Sequence, residues 1–164
     1  MPATYEPIAT NTLTSTASSV TFSSLGAYTD IVAIVNSKVT SSAYDLGFRF
    51  NGDSGNNYSR TYLGGNGSVA DSGRGSNVNY GRASYRSYMG TTDNGAYILQ
   101  FQNYSNSTTY KSVLCRGNSA ATGTDTQVNL WRNTAAITSI EFAPEFIGTF
   151  AIGSTFTLYG IKAA

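Results

Sequence analysis

The sequence contains no histidine and a single cysteine in 164 residues. Without histidine, the Ser-His-Asp and Cys-His catalytic arrangements and all histidine-ligated metal sites are excluded. The single cysteine, Cys115, has no partner for an intramolecular disulfide, and no histidine is present to activate its thiol. We therefore interpret Cys115 as a small, buried, apolar residue.

Carboxylates are the remaining candidates for catalysis. Glycosidases hold two carboxyl groups about 5 to 9.5 Å apart, and Glu141 and Glu145 are the closest pair of glutamates in the sequence. Glu141 alternates with apolar neighbours and should point outward, whereas Glu145 follows a proline in a predicted turn. We therefore predict that the protein is not an enzyme.

Charged residues are also scarce, at 12% of the chain, compared with about 25% in ordinary soluble proteins. Ten Lys and Arg against nine Asp and Glu give a formal net charge of +1, which is too small for binding nucleic acid by counterion release. No apolar run is long enough to span a membrane, and the N-terminus lacks the basic and apolar regions of a signal peptide. We expect a protein made in the cytoplasm, with neither nucleic acid nor membrane as a partner.

One polar cluster has the oxygen-rich composition of a calcium loop. Asn51, Asp53 and Asn57 have the alternate spacing of such ligands. However, Gly55 occupies the position of a further side-chain ligand, and no bidentate glutamate follows. We interpret the cluster as a tight polar turn and expect neither a metal nor another cofactor.

Glycine, serine, threonine, asparagine and tyrosine are abundant, which favours short strands joined by turns. Strand patterns recur without helical intervals, at residues 8–13, 19–22, 28–39, 46–50, 58–63, 97–104, 110–116, 128–132, 137–142 and 155–161. This pattern predicts an all-β fold, an antiparallel two-sheet jelly-roll sandwich of roughly 8 to 10 strands with little or no helix. An immunoglobulin-like sandwich is the alternative, although the Cys…Trp…Cys arrangement is missing.

The N-terminal segment, residues 1–7, lacks strand alternation and has prolines on both sides of Tyr5. Because proline stiffens the backbone and removes a donor, such a segment suits an arm draped over a partner. We predict an arm at residues 1–7 and a single jelly-roll domain at residues 8–164.

Between residues 69 and 94 the core pattern lapses, and arginines alternate with tyrosines in a chain rich in glycine and serine. Tyrosine and arginine are enriched at contact surfaces, where small residues let a loop adapt. The predicted partner-binding residues are Arg74, Arg82, Arg86, Tyr80, Tyr85 and Tyr88, together with Tyr5 of the arm. Two interpretations remain open, namely arginines that bind an acidic or carbonyl-lined protein surface and tyrosines that stack on the sugar rings of a glycan. A surface loop with incidental aromatics is the alternative to both.

Four segments of the chain carry a family resemblance. They are the opening PATYEPIAT at residues 2–10, the run FRFNGDSGNNYS at residues 48–59, QNYSN at residues 102–106, and the ending from residue 137 to residue 164. Together they resemble small structural proteins of tailed bacteriophages, especially phages of marine bacteria and cyanobacteria. The likeness covers nearly the whole chain and carries no functional residues.

The resemblance implies a jelly-roll virion component, such as a capsid decoration or cement protein, a head fibre or a tail-fibre domain. A tail-fibre subunit usually has a shaft and an attachment region, and one globular domain therefore favours a decoration protein. The implied partner is the major capsid protein of the same phage, bound and stabilised at the outer capsid surface of the virion by a homotrimer. Such a protein is made in the host bacterial cytoplasm. The alternative is a tail-fibre or head-fibre receptor module that binds a host surface glycan.

Overall fold

The computed structural model describes residues 4–42 and 44–162, and within these residues every regular element is a β-strand. The strands are β1 (Tyr5–Thr12), β2 (Val20–Phe22), β3 (Asp30–Ser37), β4 (Leu46–Phe50), β5 (Tyr58–Gly65), β6 (Ala70–Val78), β7 (Gly81–Arg82), β8 (Gly95–Phe101), β9 (Lys111–Ser119), β10 (Gly123–Trp131), β11 (Ile140–Pro144) and β12 (Thr155–Ile161). They form an eight-stranded sheet in the order β1-β12-β3-β8-β9-β10-β5-β6 and a four-stranded sheet in the order β2-β11-β4-β7. All pairings between these strands are antiparallel. The prediction of an all-β, antiparallel, two-sheet sandwich is confirmed.

The core between the two sheets is rich in aromatic side chains that alternate along their strands. Phe48 and Phe50 of the small sheet are fully buried. The ring of Phe50 lies 5.6 Å from that of Phe101 and 5.4 Å from that of Trp131, between ring centroids. Phe101 and Trp131 belong to β8 and β10 of the large sheet, so these contacts join the two layers. Burial of each such side chain stabilises the fold by roughly 2 kcal/mol.

The chain crosses repeatedly between the sheets. Of the first four strands, β1 and β3 belong to the large sheet and β2 and β4 to the small sheet. Later in the chain, β7 and β11 belong to the small sheet and β8 and β12 to the large sheet. The remaining strands are the hairpins β5–β6 and β9–β10, which belong to the large sheet. These hairpins widen the large sheet beyond the small one. Residues 81–90 cover part of the inner face that the hairpins add, because Arg82 and Ser87 lie against β10.

The predicted arm is partly a strand. Tyr5 and Pro7 belong to β1 and pair with Ile161 and Tyr159 of β12, whereas residues 1–3 lie outside the described residues. Because β1 is an edge strand, the missing N–H of Pro7 is tolerated there. The expectation of an arm at residues 1–7 is therefore corrected for residues 5–7.

The segment in which the core pattern lapses also contains strands, β6 and β7. Strand β6 has at most one half-buried face, and its sequence is mostly glycine, serine and other small or polar residues. A strand at a sheet edge does not need the apolar alternation that a buried strand requires. This is why the sequence pattern did not indicate it.

Candidate binding surface

Two of the predicted contact residues, Arg82 and Tyr80, lie against each other and against the rest of the chain. The Arg82 guanidinium contacts the buried carboxyl group of Asp45 through Nη1, and its Nη2 donates a hydrogen bond to the Tyr80 hydroxyl at 2.9 Å. The Tyr80 ring packs on Phe146, with 5.5 Å between ring centroids. These contacts fix the start of the covering segment, residues 81–90, to the small sheet.

Arg86 and Tyr85 fix the middle of the same segment to the hairpin β5–β6. The Arg86 Nε donates to both carboxylate oxygens of Asp71, at 3.1 and 3.2 Å. The Tyr85 ring stacks on Tyr62, with 3.9 Å between centroids. Tyr88 is half-buried, and its burial raises the pKa of its hydroxyl. The aromatic and guanidinium groups predicted to bind a partner are therefore largely engaged within the chain.

Asp125 of β10 holds the backbone of the covering segment. Its Oδ2 accepts hydrogen bonds from the backbone N–H of Tyr85 at 2.5 Å, of Arg86, and of Ser87 at 3.2 Å. Its Oδ1 accepts a further bond from the Ser87 hydroxyl at 3.2 Å. Four donors converging on one buried carboxylate make residues 85–87 a fixed part of the fold.

A second buried carboxylate, Asp45, lies beneath the first residues of the segment. The pKa of Asp45 is raised to about 8, chiefly by burial, which the Arg82 guanidinium opposes and the neighbouring Glu145 carboxyl reinforces. The hydroxyl of Ser84 donates to Asp45 Oδ1 at 3.4 Å. This cluster is a structural support for the covering segment, since the side chain of Asp45 is 0% exposed.

The remaining two predicted residues, Arg74 and Tyr5, are exposed and lie far apart in the sheet order. Arg74 belongs to β6 and Tyr5 to β1, which are the two edges of the large sheet. Tyr5 is 54% exposed. The structure thus divides the seven predicted residues among three places and does not bring them together in one site.

A second candidate surface lies on the outward side of the large sheet, spans six of its strands and carries arginines without an ion-pair partner. We name it the outer sheet face, meaning the outward side chains of the six strands from β6 to β3 in the large sheet. They alternate with inward-facing neighbours and are Ala70, Ser72, Arg74, Ser76, Ser59, Thr61, Leu63, Gly65, Thr124, Thr126, Val128, Leu130, Ser112, Leu114, Arg116, Asn118, Ala96, Ile98, Gln100, Asp30, Val32, Ile34 and Asn36. Threonine, serine and aliphatic side chains dominate this surface.

Several aliphatic side chains of the outer sheet face are open to solvent. Leu63 is 58% exposed, Val128 52%, and Leu114 and Ile34 37% each. Val128 is directly opposite Leu114 in the sheet register, and Ile98 is directly opposite Ile34. Adjacent exposed aliphatic groups of this kind are a property of contact surfaces.

The positive charges that the six strands place on the outer sheet face are two arginines. Arg74 and Arg116 form no ion pair or side-chain hydrogen bond with any of residues 4–42 and 44–162. The one acidic side chain that the six strands place on this face is Asp30, at the start of β3, and its Oδ1 accepts a hydrogen bond from the Asn103 backbone N–H at 2.6 Å. The face therefore has two arginines without an ion-pair partner on a surface that is otherwise mostly uncharged.

Each arginine borders a shallow, open depression. Arg116 lies between two of these depressions. The first has a volume of about 490 Å³ and includes Leu63 and Thr126 in its lining, and the second has a volume of about 290 Å³ and includes Ile34 and Ile98. Arg74 borders a third of about 360 Å³, whose floor includes Val128 and Leu130. The face thus combines arginine anchors with apolar hollows, the composition of protein contact surfaces.

The sequence analysis did not identify this surface, although it contained a signal. Leu114 lies between the buried Val113 and Cys115, so its strand carries apolar residues on both faces. Apolar residues on both faces usually indicate a strand that is covered on both sides. In this structure the second face is open to solvent.

Other kinds of site have no support in the described residues. Residues 4–42 and 44–162 contain no group of three or more His, Cys, Asp or Glu side chains that could hold a metal ion. In the same residues, no helix is long and apolar enough to cross a membrane. The Cys115 thiol is buried, and burial raises its pKa, which opposes nucleophilic reactivity. Neither a protein-family model nor a curated protein matches the sequence.

Proposed function

We propose that this chain is a non-enzymatic structural protein of a phage virion, a capsid decoration or cement protein that stabilises the shell. The observation that carries the proposal is the outer sheet face, with its exposed aliphatic side chains, shallow hollows and two unpaired arginines. The partner is the major capsid protein, and the chain lies on the outer capsid surface after synthesis in the host cytoplasm. The resemblance to phage structural proteins supports the same role.

The chemistry of the face favours a protein partner over a small substrate. Its hollows are shallow and open, whereas enzyme and cofactor sites enclose most of their ligand. Arg74 and Arg116 can each donate bidentate hydrogen bonds to carboxylates or to backbone carbonyls of a subunit below. Apolar contact around such anchors excludes water and strengthens them. A broad, mostly uncharged sheet is suited to lying flat across a junction between subunits.

The strand order supports a jelly-roll assignment within this proposal. Apart from the two hairpins, the large sheet has the order β1-β12-β3-β8 and the small sheet β2-β11-β4-β7. Eight strands in two four-stranded sheets, with the first strand beside the last, are the arrangement of a jelly roll. The hairpins β5–β6 and β9–β10 are then additions that enlarge one sheet and with it the outer sheet face.

The docking test uses purified capsids that lack this protein. We expect Arg116→Glu to weaken capsid binding by about tenfold, because it reverses the charge of a central anchor. Lys38→Glu is the matched control, since it changes the net charge equally at a position outside the outer sheet face. Equal binding by both variants would contradict docking through this face.

Location is tested separately by cryo-microscopy of virions. We expect density for the protein on the outer shell at subunit junctions, arranged as trimers. Density confined to the tail or to the interior of the head would overturn the decoration role. Light scattering that gives a stable monomer at micromolar concentration would overturn the homotrimer.

A glycan-binding fibre module is the second candidate, and the partly exposed Tyr88 is the residue that favours it. It has less support, because the rings of Tyr80 and Tyr85 are engaged by Phe146 and Tyr62. A glycan array decides between the two. Selective binding that disappears in Tyr88→Ala would favour the fibre module, and no binding would count against it.

A further inference from the structure

The large sheet ends in two edge strands that differ in how they are protected. In β1, Pro7 has no backbone N–H, and the register with β12 shifts between Pro7 and Ala9. Proline and bulges are two of the features by which proteins prevent their sheet edges from pairing with other chains. Strand β6 contains neither proline nor lysine, and its register with β5 is regular from Ala70 to Gly75; the one shift in this pairing lies beyond Gly75, toward Val78.

The hairpin turn shows which backbone groups of β6 are free. The N–H of Asn66 donates to the Val69 carbonyl at 3.1 Å, so this pair closes the turn as a hydrogen-bonded pair. Because hydrogen-bonded and non-hydrogen-bonded pairs alternate in an antiparallel ladder, Asp71, Gly73 and Gly75 bond to β5. The N–H and C=O groups of Ala70, Ser72 and Arg74 then point away from β5, toward the open edge.

The side chains of β6 leave that edge accessible. Glycines occupy positions 73 and 75, and Ala70 and Ser72 are small. Asp71, the only acidic residue of the strand, is tied to Arg86 on the inner side. The unpaired charge that remains at the edge is Arg74. A strand added beside β6 therefore meets a row of free donors and acceptors, little steric bulk and one positive charge.

We propose that β6 is a site of β-strand addition, and that it takes an extended segment of another protein with a carboxylate opposite Arg74. Main-chain hydrogen bonds supply the affinity in this mode, and side-chain pairs across the strands set the selectivity. A second copy of β6 fits less well, because it brings two arginines and no carboxylate to one face. The proposal goes beyond docking through the outer sheet face, because it uses the strand edge, and either can fail without the other.

The experiment follows backbone amides by NMR and hydrogen exchange in the full chain. In the free protein, we expect fast exchange at Ser72 and Arg74 and slow exchange at Gly73, since only the latter bonds to β5. The probe is a short end-capped peptide of alternating threonine and valine with one central glutamate. On binding, the amides of Ser72 and Arg74 should become protected, and chemical-shift changes should concentrate on β6.

Two comparisons make the test specific. The same peptide with lysine in place of glutamate should bind about threefold more weakly, the size expected for one cross-strand charge pair. Ser72→Pro removes one outward N–H while leaving the ladder with β5 intact, and it should weaken binding by at least about tenfold. Ser72→Val keeps that N–H and should bind like the parent protein.

Three outcomes of these measurements would contradict strand addition at β6. Absence of binding at millimolar peptide, shift changes at β1 instead of β6, or equal binding by Ser72→Pro would each overturn the proposal. Capsid binding by Ser72→Pro separates the two proposals, because this variant leaves Arg116 and the hollows of the outer sheet face unchanged. If Ser72→Pro still binds capsids, docking through the outer sheet face stands whether or not strand addition fails.

Discussion

Asp125 is the residue on which the position of the covering segment most depends. Its two carboxylate oxygens accept four hydrogen bonds from residues 85–87, and its side chain is buried on the inner face of β10. Hydrogen bonds to a buried charged group contribute more to stability than neutral ones, and a donor left without its acceptor is costly. The carboxylate therefore substitutes for a sheet ladder that residues 85–87 do not form.

We predict that Asp125→Asn lowers the free energy of unfolding by about 2 to 4 kcal/mol, because an amide cannot accept all four bonds. Urea denaturation measures the change. Asp93→Asn is the matched control, since Asp93 is exposed, and it should leave the free energy within about 0.5 kcal/mol. A loss as large in Asp93→Asn as in Asp125→Asn would contradict the assignment.

Asp45 makes the stability of the fold depend on pH. Because burial raises its pKa from 3.8 to about 8, the folded chain retains a proton that the unfolded chain has lost between these values. The free energy of unfolding should therefore fall as pH rises from about 4 to about 8, by at most about 1.4 kcal/mol per pH unit. Arg82 opposes this slope and Glu145 adds to it.

The measurement for Asp45 is the difference between the parent and Asp45→Asn in urea midpoints across that pH range. The parent should lose stability toward alkaline pH relative to the variant, which has no carboxyl group to titrate at this position. Asp93→Asn should keep the slope of the parent. Parallel pH profiles for the parent and Asp45→Asn would show that Asp45 is ionised throughout.

At the scale of elements, the covering segment, residues 81–90, depends on close packing at a glycine. A Cβ on Gly81 would lie 2.2 Å from the Phe48 ring, which is buried in the aromatic core. Gly81 pairs with Phe48 across the β4–β7 ladder, so neither strand can move away without losing that pairing. Only glycine lets β7 approach β4 this closely.

We predict that Gly81→Ala destabilises the fold by about 1 to 3 kcal/mol through overpacking. Thermal unfolding followed by circular dichroism measures the change. Gly90→Ala is the control at the other end of the covering segment, because the nearest atom to its added Cβ is 3.8 Å away. Similar unfolding temperatures for the two variants would indicate that the core accommodates the methyl group.

The strands that the sequence predicted correctly are those with apolar alternation against the core. Residues 97–104 and 155–161 overlap β8 and β12, whose buried residues alternate regularly. Strand β6 was not predicted, because glycine and serine carry no hydrophobic period. The sequence also could not show that Arg82 and Arg86 are paired internally, since their partners Asp45 and Asp71 are fixed by the fold alone.

At the scale of the whole molecule, β12 links the edge strand β1 to the rest of the large sheet. It pairs with β1 on one side and with β3 on the other, and it contributes Phe156 and Leu158 to the core. The sequence predicted this strand and the two-sheet class, because both follow from local alternation. It did not predict the unequal widths of the sheets, which depend on where the two hairpins pair.

We predict that a chain truncated after residue 154 does not fold cooperatively. The truncation removes about 4 kcal/mol of apolar burial at Phe156 and Leu158 and leaves β1 and β3 without their shared neighbour. Loss of the near-ultraviolet circular dichroism signal and of a sigmoidal urea transition would report it. A chain ending after Ile161 is the control and should fold, since β12 is then intact.

The adjacency of β1 and β12 also has a consequence for biosynthesis. The two neighbours of β12, strands β1 and β3, emerge from the ribosome long before β12 does. The large sheet therefore cannot be completed until residue 161 has been translated. Folding that requires pairing between distant parts of a chain is slow, with times of milliseconds to seconds for β-sandwiches. Until then, the edges of β1 and β3 that pair with β12 are open to other nascent chains. We therefore expect the yield of native protein to depend on translation speed and on chaperone binding.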